Sequence, residues 1–226
     1  ILDGRVDGVI FIAPHVGQTA LSRVAEAGLP CVSVGGFEHV GVPTFHADNE
    51  QGMAGIVRHL LDLGHRRIAH IAGRLNHDDA IMRLRAYQAT MRQAGIEAKD
   101  EWVAMGRFEI DGGYQAMEEF LKLSEPPTAV CCANDEMAIG ALKAAQNHGL
   151  SVPEDLSITG FDMTPSSGQV TPAITTARQP ITDLGNAALR AVFNLIEGRD
   201  SPASKAFPAE LIVRSSTTRP KEDLIL

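Results

Sequence analysis

Basic charge is scarce in this chain. Lys and Arg number 20 against 28 Asp and Glu, and the net charge is -8. Gripping a phosphate backbone rests on clustered Lys and Arg, so these 226 residues are poorly suited to hold nucleic acid by themselves. Any DNA-binding part has to lie outside them. Cysteine is scarce too: Cys31 and the adjacent pair Cys131 and Cys132. An odd count with a neighbouring pair is not a disulfide framework, and all three stand in apolar runs. They read as buried, reduced thiols in strands, which implies a reducing, cytoplasmic compartment. No apolar run is long enough to span a bilayer, so no membrane partner is expected, and no signal peptide opens the chain. The first residue is Ile rather than Met, which reads as a fragment or processed product.

Enzyme signatures are also missing. There is no G-x-S-x-G elbow, no H-E-x-x-H, no Walker loop and no G-x-G-x-x-G. His59, His65 and His70 do not fall at a metal-ligand spacing joined to cysteines, and they read as surface or capping positions. The acidic pairs Glu118-Glu119 and Asp78-Asp79 read as helix-surface or loop pairs rather than an acid–base dyad. No catalytic residue, metal or cofactor is implied, and an enzyme is not expected.

What is present is a rhythm of short apolar runs and amphipathic stretches. Strands are expected at 8–13, 31–34, 68–72, 102–105, 129–133, 156–161 and 209–213. Helices are expected at 19–27, around Met53 to Leu61, and at 80–94, 113–123, 135–148 and 181–196. Glycines at 28, 64, 95 and 149 supply stops, and Asp135 is placed to cap the helix that follows it. Strands apolar on both faces, each followed by a helix, imply parallel sheets covered on both sides. The result is a doubly wound α/β fold. No Gly/Ser-rich linker divides the chain.

Ligands in such folds bind outside the carboxyl ends of the strands. That rule selects His15 and Gln18, then Asn76, His77, Asp78, Asp79 and Arg83, then Arg107 and Phe108, then Asn134 and Asp135, and finally Asp162. Carboxylates, amides, a guanidinium and an aromatic ring together suit a polar, hydroxyl-rich ligand. Each has a plainer alternative. Asp135 reads as a helix cap, and Asn134 as either a turn residue or a contact. One of Asp78 and Asp79 reads as a cap or solvated. Arg83, on the residues alone, reads as a helix-surface charge, and Phe108 as core. Asp162 directly follows an apolar strand, where a carboxylate is costly without a partner, and is the strongest unaided candidate.

Several segments carry a likeness to a known family. They are 5–10 (RVDGVI), 63–69 (LGHRRIA), 133–142 (ANDEMAIGAL), 149–162 (GLSVPEDLSITGFD), Thr175-Thr176 with Gln179-Pro180, and 210–217 (ELIVRSST). In this order and spacing the chain resembles the LacI/GalR (lactose-repressor) family of transcriptional regulators. The resemblance implies a periplasmic-binding-protein-like type I fold: two Rossmann-like lobes with parallel sheets, joined by crossing strands, with a small effector between them. It divides the chain into a first lobe of residues 1–47 plus 180–207, incomplete at its start, and a second lobe of residues 48–179 plus 208–226. It implies a homodimer acting on operator DNA through a helix-turn-helix head absent from this chain. The family's effector contacts fall on Asp79, Arg83, Phe108, Asn134, Asp162 and Gln179. His15, Gln18 and Phe37 are further candidates in the first lobe. Ala86 stands where the family usually has Gly, and Met163 where Asp or Asn is common. The expected effector is a sugar or sugar derivative, with a purine second. A periplasmic solute-binding protein of the same fold is the rival reading.

Overall fold

The computed structural model describes residues 4–13, 19–38, 41–200 and 202–221. The chain divides into two units. The first comprises residues 1–49, 76–79 and 180–208, and the second residues 50–75, 80–179 and 209–226. The expected lobe boundaries differ from these chiefly at residues 76–79, which belong by their contacts to the first unit rather than the second.

The first unit is a parallel sheet in the order β1-β2-β3-β9, built from β1 (Val9–Ile12), β2 (Cys31–Val34), β3 (Thr44–Ala47) and β9 (Lys205–Phe207). Side chains alternate along β2, as a strand's period of two requires. Val32 joins the cluster under helix α7 (Ile181–Ile196), while Cys31 joins the one under helix α1 (Thr19–Glu26). Leu184, Ala188, Ala191 and Val192 recur at helical spacing, and that stripe is the face α7 buries.

The second unit is a six-stranded sheet in the order β10-β8-β7-β6-β4-β5. Its strands are β4 (Ile68–Ala72), β5 (Val103–Met105), β6 (Ala129–Cys132), β7 (Ser157–Asp162), β8 (Thr175–Arg178) and β10 (Glu210–Ile212). The neighbours run parallel, as expected, and the edge strand β10 adds an antiparallel pairing with β8. Helices α2 (Asn49–Asp62) and α3 (Asp78–Gln93) supply Met53, Ile56, Val57, Leu60, Tyr87 and Met91 to one face. Helices α4 (Ile110–Phe120) and α5 (Asp135–Asn147) cover the other, and a short α6 (Pro165–Gln169) follows β7. Helices α4 and α5 meet through glycine. A Cβ on Gly140 would stand 1.9 Å from the Ile110 carbonyl oxygen, and one on Gly113 2.1 Å from that of Met137. No helix among the described residues is long and apolar enough to cross a membrane.

All three cysteines are free and buried in strands. The histidines differ from expectation. His65 and His70 are buried rather than superficial. His65 bonds with Thr128 Oγ1, Ser157 Oγ and the Thr218 carbonyl, which ties the chain's last described segment to the sheet. His70 points inward from mid-β4. Its ring stacks on Tyr87 at 5.0 Å, and Nδ1 lies 3.5 Å from Cys131 Sγ. Complete burial, reinforced by the Arg83 charge, pushes its pKa down to about 3.

Two measurements follow. Gly140→Ala forces two backbones apart and should cost about 3 kcal/mol, read as a lowered urea midpoint. His70 is neutral when folded, while an unfolded imidazole takes up a proton near its ordinary value of about 6.5. Unfolding therefore binds a proton below that pH, and stability is full above it and falls as the pH drops towards the folded value. The loss from His70 between about pH 7 and about pH 5 should be about 2 kcal/mol. His59 and His65, lowered by burial, act in the same direction. Denaturation at both pH values checks this, and His70→Phe should flatten the dependence.

Candidate functional site

The parallel strands of the second unit end together, and their following loops share one edge of the sheet. Backbone strain collects at strand ends. Among the described residues, the non-glycine positions with positive φ are Ala13 after β1, Arg107 and Phe108 after β5, and Asp162 and Met163 at the end of β7. Such conformations persist only where the surroundings over-determine them, and they cluster at functional sites.

Arg83, one turn into α3, is not a surface charge. Its side chain is 3% exposed, and the guanidinium lies 3.8 Å above the centroid of the Phe161 ring. Nη1 donates to the Ala133 carbonyl and lies 3.4 Å from Asp162 Oδ1. Asp162 closes β7 with φ at 113°, and the same Oδ1 accepts a 2.6 Å bond from Gln179 Nε2. Three residues chosen from sequence, Arg83, Asp162 and Gln179, thus form one cluster on the ends of β7 and β8. Asp162 has the partners its position demanded, and at 27% exposure the pair still meets solvent. Its neighbour Met163 is pinned by donating its N–H to Thr176 Oγ1.

Phe108 and Asn134 form a second group. Asn134, not Asp135, caps α5: Oδ1 accepts from the Met137 N–H at 2.9 Å, and Nδ2 lies 3.4 Å from the Phe108 carbonyl oxygen. Asp135 is fully buried and serves otherwise. Its carboxylate accepts from Thr176 Oγ1 at 2.6 Å, and from the Thr164 N–H at 2.6 Å and Thr164 Oγ1 at 3.1 Å. From the first turn of α5 its side chain reaches donors of β8 and of the turn between β7 and α6. Phe108 is half-buried, and its N–H points at Met137 Sδ at 3.3 Å.

Asp79 belongs to the first unit. Its Oδ1 accepts from the Gly36 N–H at 3.2 Å and from Asn49 Nδ2 at 2.9 Å, while Asp78 Oδ2 accepts from the Phe37 N–H at 2.9 Å. Both acids hold the turn after β2, where Gly35 and Gly36 have φ of 83° and 84°. Neither is merely solvated. Phe37, a sequence candidate, belongs to that turn, and His15 and Gln18 lie outside the described residues. Sequence reasoning missed Phe161, which reads as plain core, as well as Asn49 and Arg74. Arg74 Nε donates to the Arg107 carbonyl, and its guanidinium pairs with Glu109.

Two α/β units, one carrying a guanidinium, a carboxylate, amides and a ring at its strand ends, define a small-molecule-binding module of the periplasmic-binding-protein kind. Residues 57–217 match the periplasmic binding protein-like domain. The HTH-type transcriptional repressor PurR of Escherichia coli O1:K1 / APEC is 39% identical over 218 residues, covering 94% of this chain and 63% of that protein. Catabolite control protein A of Priestia megaterium is 33% identical over 192 residues, covering 84% and 58%. Among solved structures, the transcriptional regulator CelR–cellobiose complex superposes with a TM-score of 0.88 at 31% identity, covering 95% of this chain and 67% of that one. The chain belongs to the LacI/GalR family of transcriptional regulators and is their effector-binding core. It spans about three fifths of the length of the curated relatives it matches.

Asp135→Ala should cost about 2 kcal/mol, because the buried Thr176 hydroxyl and the half-buried N–H and hydroxyl of Thr164 lose their acceptor. Urea denaturation measures it, and a loss under about 0.5 kcal/mol would show that the carboxylate does not hold these strands together.

Proposed function

We propose that this core binds a sugar or sugar derivative at the strand ends of its second unit, and that binding controls operator DNA through a head outside this chain. The observation that carries the reading is the Arg83–Asp162–Gln179 cluster. The cluster gathers at one end of β7 and β8 a carboxylate, which accepts from hydroxyls, and a guanidinium and an amide, which donate to them. Phe108 would stack on the ligand's ring and Asn134 support it. Asp79 enters as the residue that holds the first unit's turn, its Oδ2 still an acceptor. The neighbour solved with cellobiose supports a sugar. Phe108 and the amides of Asn134 and Gln179 suit a purine as the second reading. The repressor names of the relatives favour a cytoplasmic regulator over a solute-binding protein, and binding over catalysis.

The protein would act as a homodimer whose effector shifts an existing equilibrium. It can do so only by its difference in affinity for the two states. A thermal-shift panel of sugars, sugar phosphates and nucleobases tests the reading. A ligand at about one hundred times its Kd should add about 2.7 kcal/mol, hence several degrees. The shift should vanish in Asp162→Asn and Arg83→Met. A shift that survives in both variants places the ligand elsewhere.

A further inference from the structure

Gly73 directly follows β4, and the ring of Phe108 fills the space where a side chain would begin. A Cβ built on Gly73 would lie 2.1 Å from Phe108 Cζ, and 2.4 and 2.5 Å from the two Cε atoms. The tip of the ring therefore rests on bare backbone.

The loop carrying the ring is tied on every side. The Gly106 N–H donates to the Ala72 carbonyl at 2.8 Å, and the Glu109 N–H to the Gly106 carbonyl at 3.0 Å. Arg74 Nε donates to the Arg107 carbonyl at 3.1 Å, and the Arg74 guanidinium pairs with the Glu109 carboxylate. Asn134 Nδ2 reaches the Phe108 carbonyl, and the Phe108 N–H faces Met137 Sδ. Arg107 and Phe108 both hold positive φ, at 57° and 65°. With so many anchors the backbone has little room to retreat, and a clash at Gly73 has to be relieved by the ring itself.

We infer that Gly73 is a positioning residue: its missing side chain sets the depth at which the Phe108 ring sits, and so where an effector's ring can stack. The inference rests on the reading of Phe108 as a stacking contact, and Gly73 acts only through that ring. Carbon atoms in ordinary contact lie about 3.5–4.0 Å apart, so a methyl at this position displaces the ring tip by about 1.5 Å. Leucine at position 108 lacks the Cε and Cζ atoms that collide, and so relieves the clash without restoring the ring.

Four chains test this: the parent, Gly73→Ala, Phe108→Leu and the double variant. Gly73→Ala should lower the urea midpoint of the parent and leave that of Phe108→Leu nearly unchanged. The Phe108 ring resonances, assigned by their absence in Phe108→Leu, should move in Gly73→Ala while those of distant phenylalanines stay. With cellobiose as the probe, Kd should rise about tenfold in each single variant, with little further loss in the double. An equal midpoint loss in both backgrounds, or an unmoved Phe108 signal, overturns the seat. Strong coupling with an unchanged cellobiose Kd in Phe108→Leu keeps the seat and removes the stacking reading. A parent chain that ignores cellobiose removes that disaccharide as a ligand and nothing else, because the midpoints and the ring signal decide the seat.

Discussion

Arg83 carries a full charge in a place almost closed to water, and the carboxyl edge of the second sheet is arranged around keeping it there. A buried cation is tolerated only when it is paired and its donors are used. Here the π face of Phe161 lies under the guanidinium, a main-chain carbonyl takes one donor, and Asp162 faces it. Each partner constrains something further. Phe161 has to be a ring and point to the α3 side of β7. Asp162 has to turn its backbone to positive φ, and Gln179 has to leave β8 close enough to hold the same oxygen.

The adjacent residues Asn134 and Asp135 divide two tasks that one polar residue could not perform. The neutral amide can both accept and donate, so it caps α5 and also reaches the Phe108 carbonyl. The carboxylate only accepts, and it is surrounded by donors from Thr164 and Thr176. Both threonines of strand β8 are buried, and Thr176 ties that strand to the start of α5 through Asp135.

That division explains what could be read from the sequence. Elements with strong apolar patterns were legible to the residue: β2 at Cys31–Val34, β4 at Ile68–Ala72 and α7 at Ile181–Ile196. Strands β3, β8 and β9 were not, because Thr-Phe-His-Ala, Thr-Thr-Ala-Arg and Lys-Ala-Phe carry no apolar run long enough to announce a strand. The antiparallel direction of β10 depends on its partner, which periodicity does not report. The loop rule and the family likeness together brought Arg83, Asp162 and Gln179 to one place. They did not reveal that Arg83 is buried, since an arginine on a helix looks the same in sequence whether it faces water or a phenylalanine. His65 and His70 were misplaced for the same reason: their partners are hydroxyls, a carbonyl and a tyrosine far away along the chain.

The three buried thiols have a kinetic consequence. Burial raises the pKa of all of them, so little reactive thiolate is present in the closed protein. Cys31 lies in the first unit, and Cys131 and Cys132 in the second. Alkylation of each therefore waits for its own unit to open, and the chain carries a separate natural clock for the fluctuations of each half.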